Sequence, residues 1–160
     1  MHRITKAALA LAALPVAGLA LASPASAHDN LPHTVSLSGS VDIVDYDFGA
    51  DTLCHRTFAD NDTAQLPNDA QVNVGGTANC DEIRVVVNAA GTLSNLGVVT
   101  ISGTVQVLDR DCLVTCGFDV VGTKSFSRTL APSGTAEVKG TIDDGNQGAA
   151  TYTLSLSNSQ

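Results

Sequence analysis

The stretch VTISGTVQVLDRD, residues 99 to 111, decides the fold because an earlier copy, VSLSGSVDIVDYD, occupies residues 35 to 47. Six of the thirteen aligned positions are identical, and five more exchange Ser for Thr or one aliphatic residue for another. Apolar and polar residues alternate in both copies. Successive side chains of a strand point to opposite faces, so each copy is predicted to be a β-strand with one buried and one solvated face.

Alternating segments and turn signals continue along the rest of the chain, and no helical period follows Ala27. About eight strands at regular spacing predict an all-β fold, a single antiparallel β-sandwich or barrel. The repeat predicts an internal duplication covering residues 35–95 and 99–158. Gly39 falls on the inward face of the first strand, where a missing side chain predicts a bend or bulge.

The amino-terminal segment has the features of an export signal. A basic start over residues 2–6 precedes an apolar run over 7–22, and Ala25-Ser26-Ala27 is a small-residue cleavage site. The apolar run is too short for a comfortable membrane span of ~20 residues. We therefore expect residues 1–27 to be cleaved and residues 28–160 to form one secreted, extracellular domain without a membrane span.

Charge restricts the partners of this domain. Beyond the predicted signal the chain carries six Lys or Arg against sixteen Asp or Glu. A surface this acidic repels phosphate backbones and anionic membranes, which argues against nucleic-acid binding. The partner is left open as an unknown extracellular protein or surface polymer.

The chain has four cysteines, at positions 54, 80, 112 and 116. An even number in an exported protein indicates two disulfides, and three pairings are possible. The pairing of Cys54 with Cys80 and of Cys112 with Cys116 is favoured, because each bond then closes within one copy of the repeat. Three residues between Cys112 and Cys116 fit a hairpin tip rather than a thiol-redox motif, which has two.

The motifs of common enzymes are absent from the sequence, which has neither a nucleophile elbow nor a zinc-protease helix nor a phosphate-binding loop. The prediction is a non-catalytic protein with a binding or structural role. Recognition is expected in the loops at one end of the sandwich, 59–69 and 143–148. An alternative is an extracellular protease inhibitor that exposes Leu113, Val114 and Thr115 at the tip of the 112–116 loop.

A second alternative is a copper site at the new amino terminus. Cleavage after Ala27 leaves His28 first, and its α-amine and imidazole can chelate Cu(II) together with another imidazole, from His33 or His55. This arrangement resembles the N-terminal histidine of secreted copper chaperones and copper-dependent polysaccharide oxygenases, which also use β-sandwich scaffolds. The resemblance covers that one residue and its position, and it implies copper storage or delivery.

Calcium is the other metal hypothesis. Asp45, Asp47 and Asp51 flank the first predicted turn, and hard cations prefer the carboxylate oxygens that Asp-dense turns provide. Asp and Asn also favour turns through local hydrogen bonds, so turn chemistry alone explains the same residues. The prediction therefore has no assigned cofactor, with Cu and Ca as its alternatives.

Overall fold

The structure, a computed structural model, describes residues 30–46, 50–111 and 116–160, and it confirms the predicted all-β class. The strands of this described part are β1 His33–Asp45, β2 Thr52–Ala64, β3 Gln71–Cys80, β4 Ile83–Leu93, β5 Val99–Asp111, β6 Gly117–Leu130, β7 Thr135–Asp143 and β8 Gly148–Ser159. They form two antiparallel four-stranded sheets, which pack as a sandwich. Sheet I has the order β2-β1-β8-β7 and sheet II the order β3-β4-β5-β6. The predicted signal, residues 1–27, lies outside the described residues.

No helix long and apolar enough to cross a membrane occurs in the part of the chain that the structure describes.

The two look-alike strands, β1 and β5, lie at the centre of the sandwich and turn the same side inward. Every aliphatic residue on that side is buried; the set is Val35, Leu37, Val41, Ile43, Val99, Ile101, Val105 and Val107. Burial of one such side chain contributes roughly 1.5–3 kcal/mol. The alternation that predicted the strands therefore also supplies the middle of the core.

The strand order agrees with the predicted relation between the two halves. The first half of the chain, strands β1 to β4, contributes two strands to each sheet, and the second half, strands β5 to β8, does the same. Replacing each strand of the first half by its counterpart in the second half converts the order of sheet I into the order of sheet II. Both halves thus share one core and neither encloses a core by itself.

The seam between β2 and β3 is where the two sheets meet on one side. Five side chains of β2, which we call the β2 stripe, stand directly opposite buried residues of β1 and therefore lie on the side of sheet I that faces sheet II; they are Cys54, Arg56, Phe58, Asp60 and Asp62. Two of these carboxylates accept hydrogen bonds from the edge of β3. Asp60 Oδ2 lies 2.8 Å from the backbone N of Gly75, and Asp62 Oδ2 lies 2.7 Å from that of Asn73.

Near the other end of the seam, Cys54 and Arg56 of the β2 stripe also connect β2 to β3. The predicted disulfide between Cys54 and Cys80 is present and joins β2 to β3. Arg56 Nε donates to the backbone O of Asn79 over 3.0 Å. Side chains of β2 therefore close the seam in place of a backbone ladder, which would require both strands to lie in one sheet.

Phe58, in the middle of the β2 stripe, explains the inward-facing glycines. A Cβ added at Gly39 or Gly76 would collide with its ring. Of the bend or bulge predicted at Gly39, the bulge is wrong, since β1 keeps an unbroken register there with both neighbours. Gly103 repeats the arrangement in the second half, opposite Phe126.

The predicted loop over residues 59–69 is also wrong in its first half, because β2 continues to Ala64. Asp and Asn are depleted in strands, which is why the segment was expected to be a loop. Here the carboxylates of Asp60 and Asp62 accept hydrogen bonds from backbone N–H groups at the edge of β3, which explains why acidic residues occur in this strand. Only residues 65–69 form the turn.

The second seam lies between β6 and β7. It is bridged by a positively charged side chain, Arg128, where the first seam is bridged by carboxylates. Asp60 stands opposite Leu37, and Arg128 stands opposite Ile101, the counterpart of Leu37 in the repeat. Arg128 donates through Nε and Nη2 to the backbone O of Glu137, each over 3.3 Å. Equivalent positions thus bridge the two seams, one by accepting from a backbone N–H and the other by donating to a backbone carbonyl.

Substitution of Gly39 tests the packing of Phe58. Gly39→Ala should lower the free energy of unfolding by about 2 kcal/mol, the usual cost of overpacking a core. The loss should be much smaller in a Phe58→Ala background, where the obstructing ring is gone. Urea unfolding of the four members of this cycle measures both, and additive losses would contradict the contact.

Candidate binding face

The turns at the two ends of the sandwich are short and use their own polar groups. Gly134 N donates to Ala131 O over 2.8 Å, and Asp69 N donates to Gln65 O over 2.9 Å. The predicted binding loop at residues 143–148 is a tight turn of this kind. End loops of this length offer little area for recognition.

Asp144 organises the 143–148 turn. Its Oδ1 accepts from the backbone N–H groups of Asn146, Gln147 and Gly148 at 3.0, 2.8 and 3.2 Å. Partial desolvation acts to raise the pKa of Asp144, but the backbone donors outweigh it and hold the pKa below its usual value. These bonds stabilise the turn at neutral pH and are lost as the pH falls through the lowered pKa.

Acidic side chains gather at this end of the sandwich, which we call the acidic end. The described members include Asp45, Asp51, Asp81, Glu82, Asp109, Asp119, Asp143 and Asp144. Tyr46 lies among them. Partial desolvation and the negative charges of Asp143 and Asp51 raise its pKa, since each disfavours the phenolate.

The three Asp residues of the predicted calcium site differ in their surroundings. Asp45 is buried, and its Oδ2 accepts from the backbone N of Glu82 over 2.9 Å. Asp51 is exposed, and Asp47 lies outside the described residues. Within residues 30–46, 50–111 and 116–160, no three His, Cys, Asp or Glu side chains are grouped closely enough to hold a metal ion. The calcium site remains a prediction.

The two histidines proposed to assist His28 lie far apart. His33 begins β1, while His55 is paired with Asp42 nine residues further along that strand, about 30 Å away at the usual rise per residue. His55 is exposed, and its Nδ1 lies 2.7 Å from Asp42 Oδ1. His28 lies outside the described residues, so the copper site remains a prediction, for which the structure can offer one of these imidazoles but not both.

His33 is fully buried and belongs to a polar network at the other end of the sandwich. Its Nδ1 lies 2.8 Å from Asn158 Oδ1, and its Nε2 lies 3.0 Å from Gln160 Nε2. Asn158 Nδ2 donates to the backbone O of Gly97 over 2.9 Å and of Ala131 over 3.1 Å. Since the Asn158 amide nitrogen is the donor, its oxygen accepts from His33, and the imidazole is protonated on Nδ1 with Nε2 accepting from Gln160. Both ring nitrogens are thus used structurally.

The second cysteine pair is described only in part. Cys116 is disulfide-bonded, while Cys112 lies outside the described residues, as do Leu113, Val114 and Thr115. The tip proposed for a protease inhibitor therefore remains a prediction.

The outer face of sheet II differs from the rest of this acidic surface. We call it the sheet II face; its side chains come from alternate residues of all four strands and are mainly Ser, Thr, Asn and Gln. Arg84 and Arg110, both at the acidic end, are the charged residues among its described cross-strand rows. Arg84 is the one of the two that packs on an aromatic ring. It lies 3.8 Å from the ring centre of Phe118. The corresponding face of sheet I carries the hydrogen-bonded pair His55–Asp42 and the ion pair Lys139–Glu137.

A shallow, open groove of about 610 Å³ crosses the sheet II face. It forms because Gly75 and Ala90 have little or no side chain at diagonal positions of β3 and β4. Polar groups surround this depression; they are Asp60, Asn73, Asn88, Ser102 and Thr104. The groove therefore combines a floor of small residues with amide, hydroxyl and carboxylate groups at its sides.

Two further grooves, of about 620 and 460 Å³, lie on the outer face of sheet I. The larger is lined by hydroxyl groups, with Gly39 and Phe58 at its base, and it contains no amide side chain. The smaller includes Glu137 among serines and a threonine. The groove on the sheet II face has the most varied set of uncharged hydrogen-bonding groups of the three.

The residues of this groove were not among the sequence-based candidates. Asn73 and Asn88 occupy the polar positions of the alternating pattern, which indicate only that a side chain faces solvent. Their approach depends on the pairing of β3 with β4, a register that the pattern does not specify. Runs of Ser, Thr and Asn without charge were the available signal.

No known protein family matches the chain, and no curated protein matches it at a significant level.

Titration of Tyr46 tests the electrostatics of the acidic end. The chain has two tyrosines, so a Tyr152→Phe background leaves Tyr46 as the one phenol observed by ultraviolet absorbance. Its pKa should lie above the usual value of about 10, and Asp143→Asn should bring it down. Because the neutral phenol is favoured in the folded protein, its contribution to stability persists at lower pH and is lost as pH rises through the raised pKa. A pKa that does not respond to Asp143→Asn would contradict the arrangement.

Proposed function

We propose that this chain is a secreted, non-catalytic binding protein whose sheet II face holds a neutral, hydroxyl-rich polymer such as an extracellular glycan. The groove of about 610 Å³ on that face is the observation that carries the proposal. The disulfide between Cys54 and Cys80 is consistent with an oxidising, extracellular compartment. Recognition then takes place on a sheet face instead of in the end loops.

The chemistry of the groove favours hydroxyl groups as ligands. Each of Asn73 and Asn88 supplies an amide with both donor and acceptor atoms, which suits hydroxyls because these also donate and accept. Asp60 accepts from Gly75 N and retains acceptor capacity on its carboxylate. Ser102 and Thr104 add hydroxyl groups on the opposite side of the groove.

Charge favours a neutral polymer over an anionic one. Asp60 is the one ionisable side chain in the groove lining, and the chain as a whole carries a formal net charge of −8. A phosphorylated or sulfated polymer would be repelled by this surface. A neutral glycan meets no such barrier.

The open shape of the groove favours a polymer over a small molecule. Small ligands are usually held in enclosed and mostly apolar pockets, whereas this groove is a depression on a flat sheet. The chain has no tryptophan, so the stacking that strengthens many sugar complexes is scarce. Each contact should therefore be weak, and useful retention requires many repeats of the ligand along one polymer.

Removal of the two amides tests this proposal. The double variant Asn73→Ala/Asn88→Ala should bind immobilised neutral glucans, galactans or arabinans about thirtyfold less tightly, because each lost hydrogen bond is worth roughly 1 kcal/mol. Binding is measured by retention on the insoluble polymers, with a sulfated polysaccharide for comparison. Both asparagine side chains are exposed, so the fold should keep its melting temperature.

The matched control is Ser38→Ala/Thr153→Ala, which trims the larger groove on sheet I by two side chains. It should bind like the parent protein. The proposal is wrong if the parent retains none of the neutral polymers, if it prefers the sulfated one, or if the control and the amide variant behave alike.

A further inference from the structure

Strand β7 forms one edge of sheet I, and its sequence is self-complementary. Residues 135–141 read TAEVKGT. About Val138 as the centre, Glu137 is matched by Lys139, Ala136 by Gly140, and the terminal threonine by the other threonine. The strand therefore has nearly the same sequence in both directions. Reversing it exchanges the acid Glu137 with the base Lys139.

The direction of the backbone groups shows which residues of β7 face the edge of sheet I and which face β8. Glu137 O accepts from Arg128 across the seam and so points away from β8. The N–H and C=O of a strand residue point to the same side, and that side alternates along the strand. The odd-numbered residues Glu137, Lys139 and their neighbours thus direct their backbone groups to the edge, while Val138 is bonded to β8.

We propose that β7 pairs antiparallel with β7 of a second copy of this chain, about a two-fold axis at Val138. This pairing joins the two copies of sheet I into one eight-stranded sheet. Glu137 of each copy then stands directly opposite Lys139 of the other and exchanges both backbone hydrogen bonds with it. Glu137 O accepts two bonds from Arg128, through Nε and Nη2. A carbonyl has two lone pairs, so Arg128 gives up one of these bonds in the dimer and keeps the other.

The side chains suit this register. Glu137 and Lys139 already form an exposed ion pair, with Lys139 Nζ 2.7 Å from Glu137 Oε1. In the dimer the same charges alternate across the two-fold axis, and opposite charges on directly paired residues stabilise a sheet. Thr135 of one copy faces Thr141 of the other, a second favourable cross-strand pair.

Antiparallel pairing also separates the acidic ends. Asp143 is the last residue of β7 and Asp144 follows it, while the turn over residues 132–134 precedes the amino end of the strand. The two-fold axis therefore places the acidic end of each copy beside the uncharged 132–134 turn of the other. A parallel arrangement would bring the two acidic ends together and would be repelled.

The other three edge strands are less suited to pairing. Backbone N–H groups along the edge of β3 are covered by the carboxylates of Asp60 and Asp62. These two charged residues belong to the edge strand β2. In β6 the register shifts after Val107, so that Val121 is bulged. Bulges and inward-pointing charges are devices by which proteins block edges. Strand β7 keeps a continuous register with β8 over all of its residues.

Charge reversal in β7 tests the dimer. Sedimentation velocity of the purified protein over a concentration series, up to about 1 mM, should show a reversible monomer–dimer equilibrium. Glu137→Lys and Lys139→Glu should each weaken dimerisation about tenfold, because like charges then face each other twice per dimer. The double variant Glu137→Lys/Lys139→Glu should restore it.

Asp119→Lys on β6 is the control, since it changes the net charge as Glu137→Lys does at an exposed residue outside β7. It should leave dimerisation at or above the parent level. The backbone amides of Glu137 and Lys139 should exchange with solvent more slowly as the concentration rises. A protein that stays monomeric at every concentration, or a double variant that dimerises no better than the single ones, would overturn the proposal, and neither result bears on glycan binding.

Discussion

The contact between the β2 stripe and the edge of β3 is the constraint on which the rest of the structure depends. A sandwich of two four-stranded sheets has four strand edges, and each exposes backbone groups that must be satisfied or shielded. Here side chains of β2 satisfy the edge of β3, and a disulfide fixes the distance. The aliphatic sides of β1 and β5 can then remain in register against each other, because the sheets that carry them cannot slide along this seam.

This closure leaves the outer faces to other uses. Inward-pointing acids at Asp60 and Asp62, together with the gathering of acids at one end, account for much of the negative charge. The sheet II face carries Arg84 and Arg110 at the acidic end and the Asp60 carboxylate at its β3 edge, and its other described positions are mostly uncharged. Its small residues leave a groove lined by amides. The two seams are bridged differently, since Arg128 alone of the described β6 side chains donates across to β7. Carboxylates cover two backbone N–H groups at the edge of β3, whereas a guanidinium covers one backbone carbonyl at the edge of β7.

The strands could be predicted from the sequence where alternation is regular, as in Val35–Ile43 and Val99–Val107. The Cys54–Cys80 pair followed from the repeat, because both residues lie within its first half. The strand at Ala59–Ala64 was missed, since Asp and Asn usually signal turns and only the neighbouring edge shows why they belong in β2. Asn73 and Asn88 were missed for a related reason: their proximity depends on strand pairing, which residue spacing within one segment does not contain. Gly39 was recognised as unusual, but the ring of Phe58 that requires it comes from another strand.

Hydrogen exchange at the backbone amides of Gly75 and Asn73 tests the closure of the seam most directly. Both amides lie at the edge of β3, where they would exchange rapidly without a partner. The account predicts slow exchange in the parent protein and rapid exchange in Asp60→Ala/Asp62→Ala, with amides between β4 and β5 unchanged. Rapid exchange in the parent, or slow exchange that survives removal of both carboxylates, would contradict it.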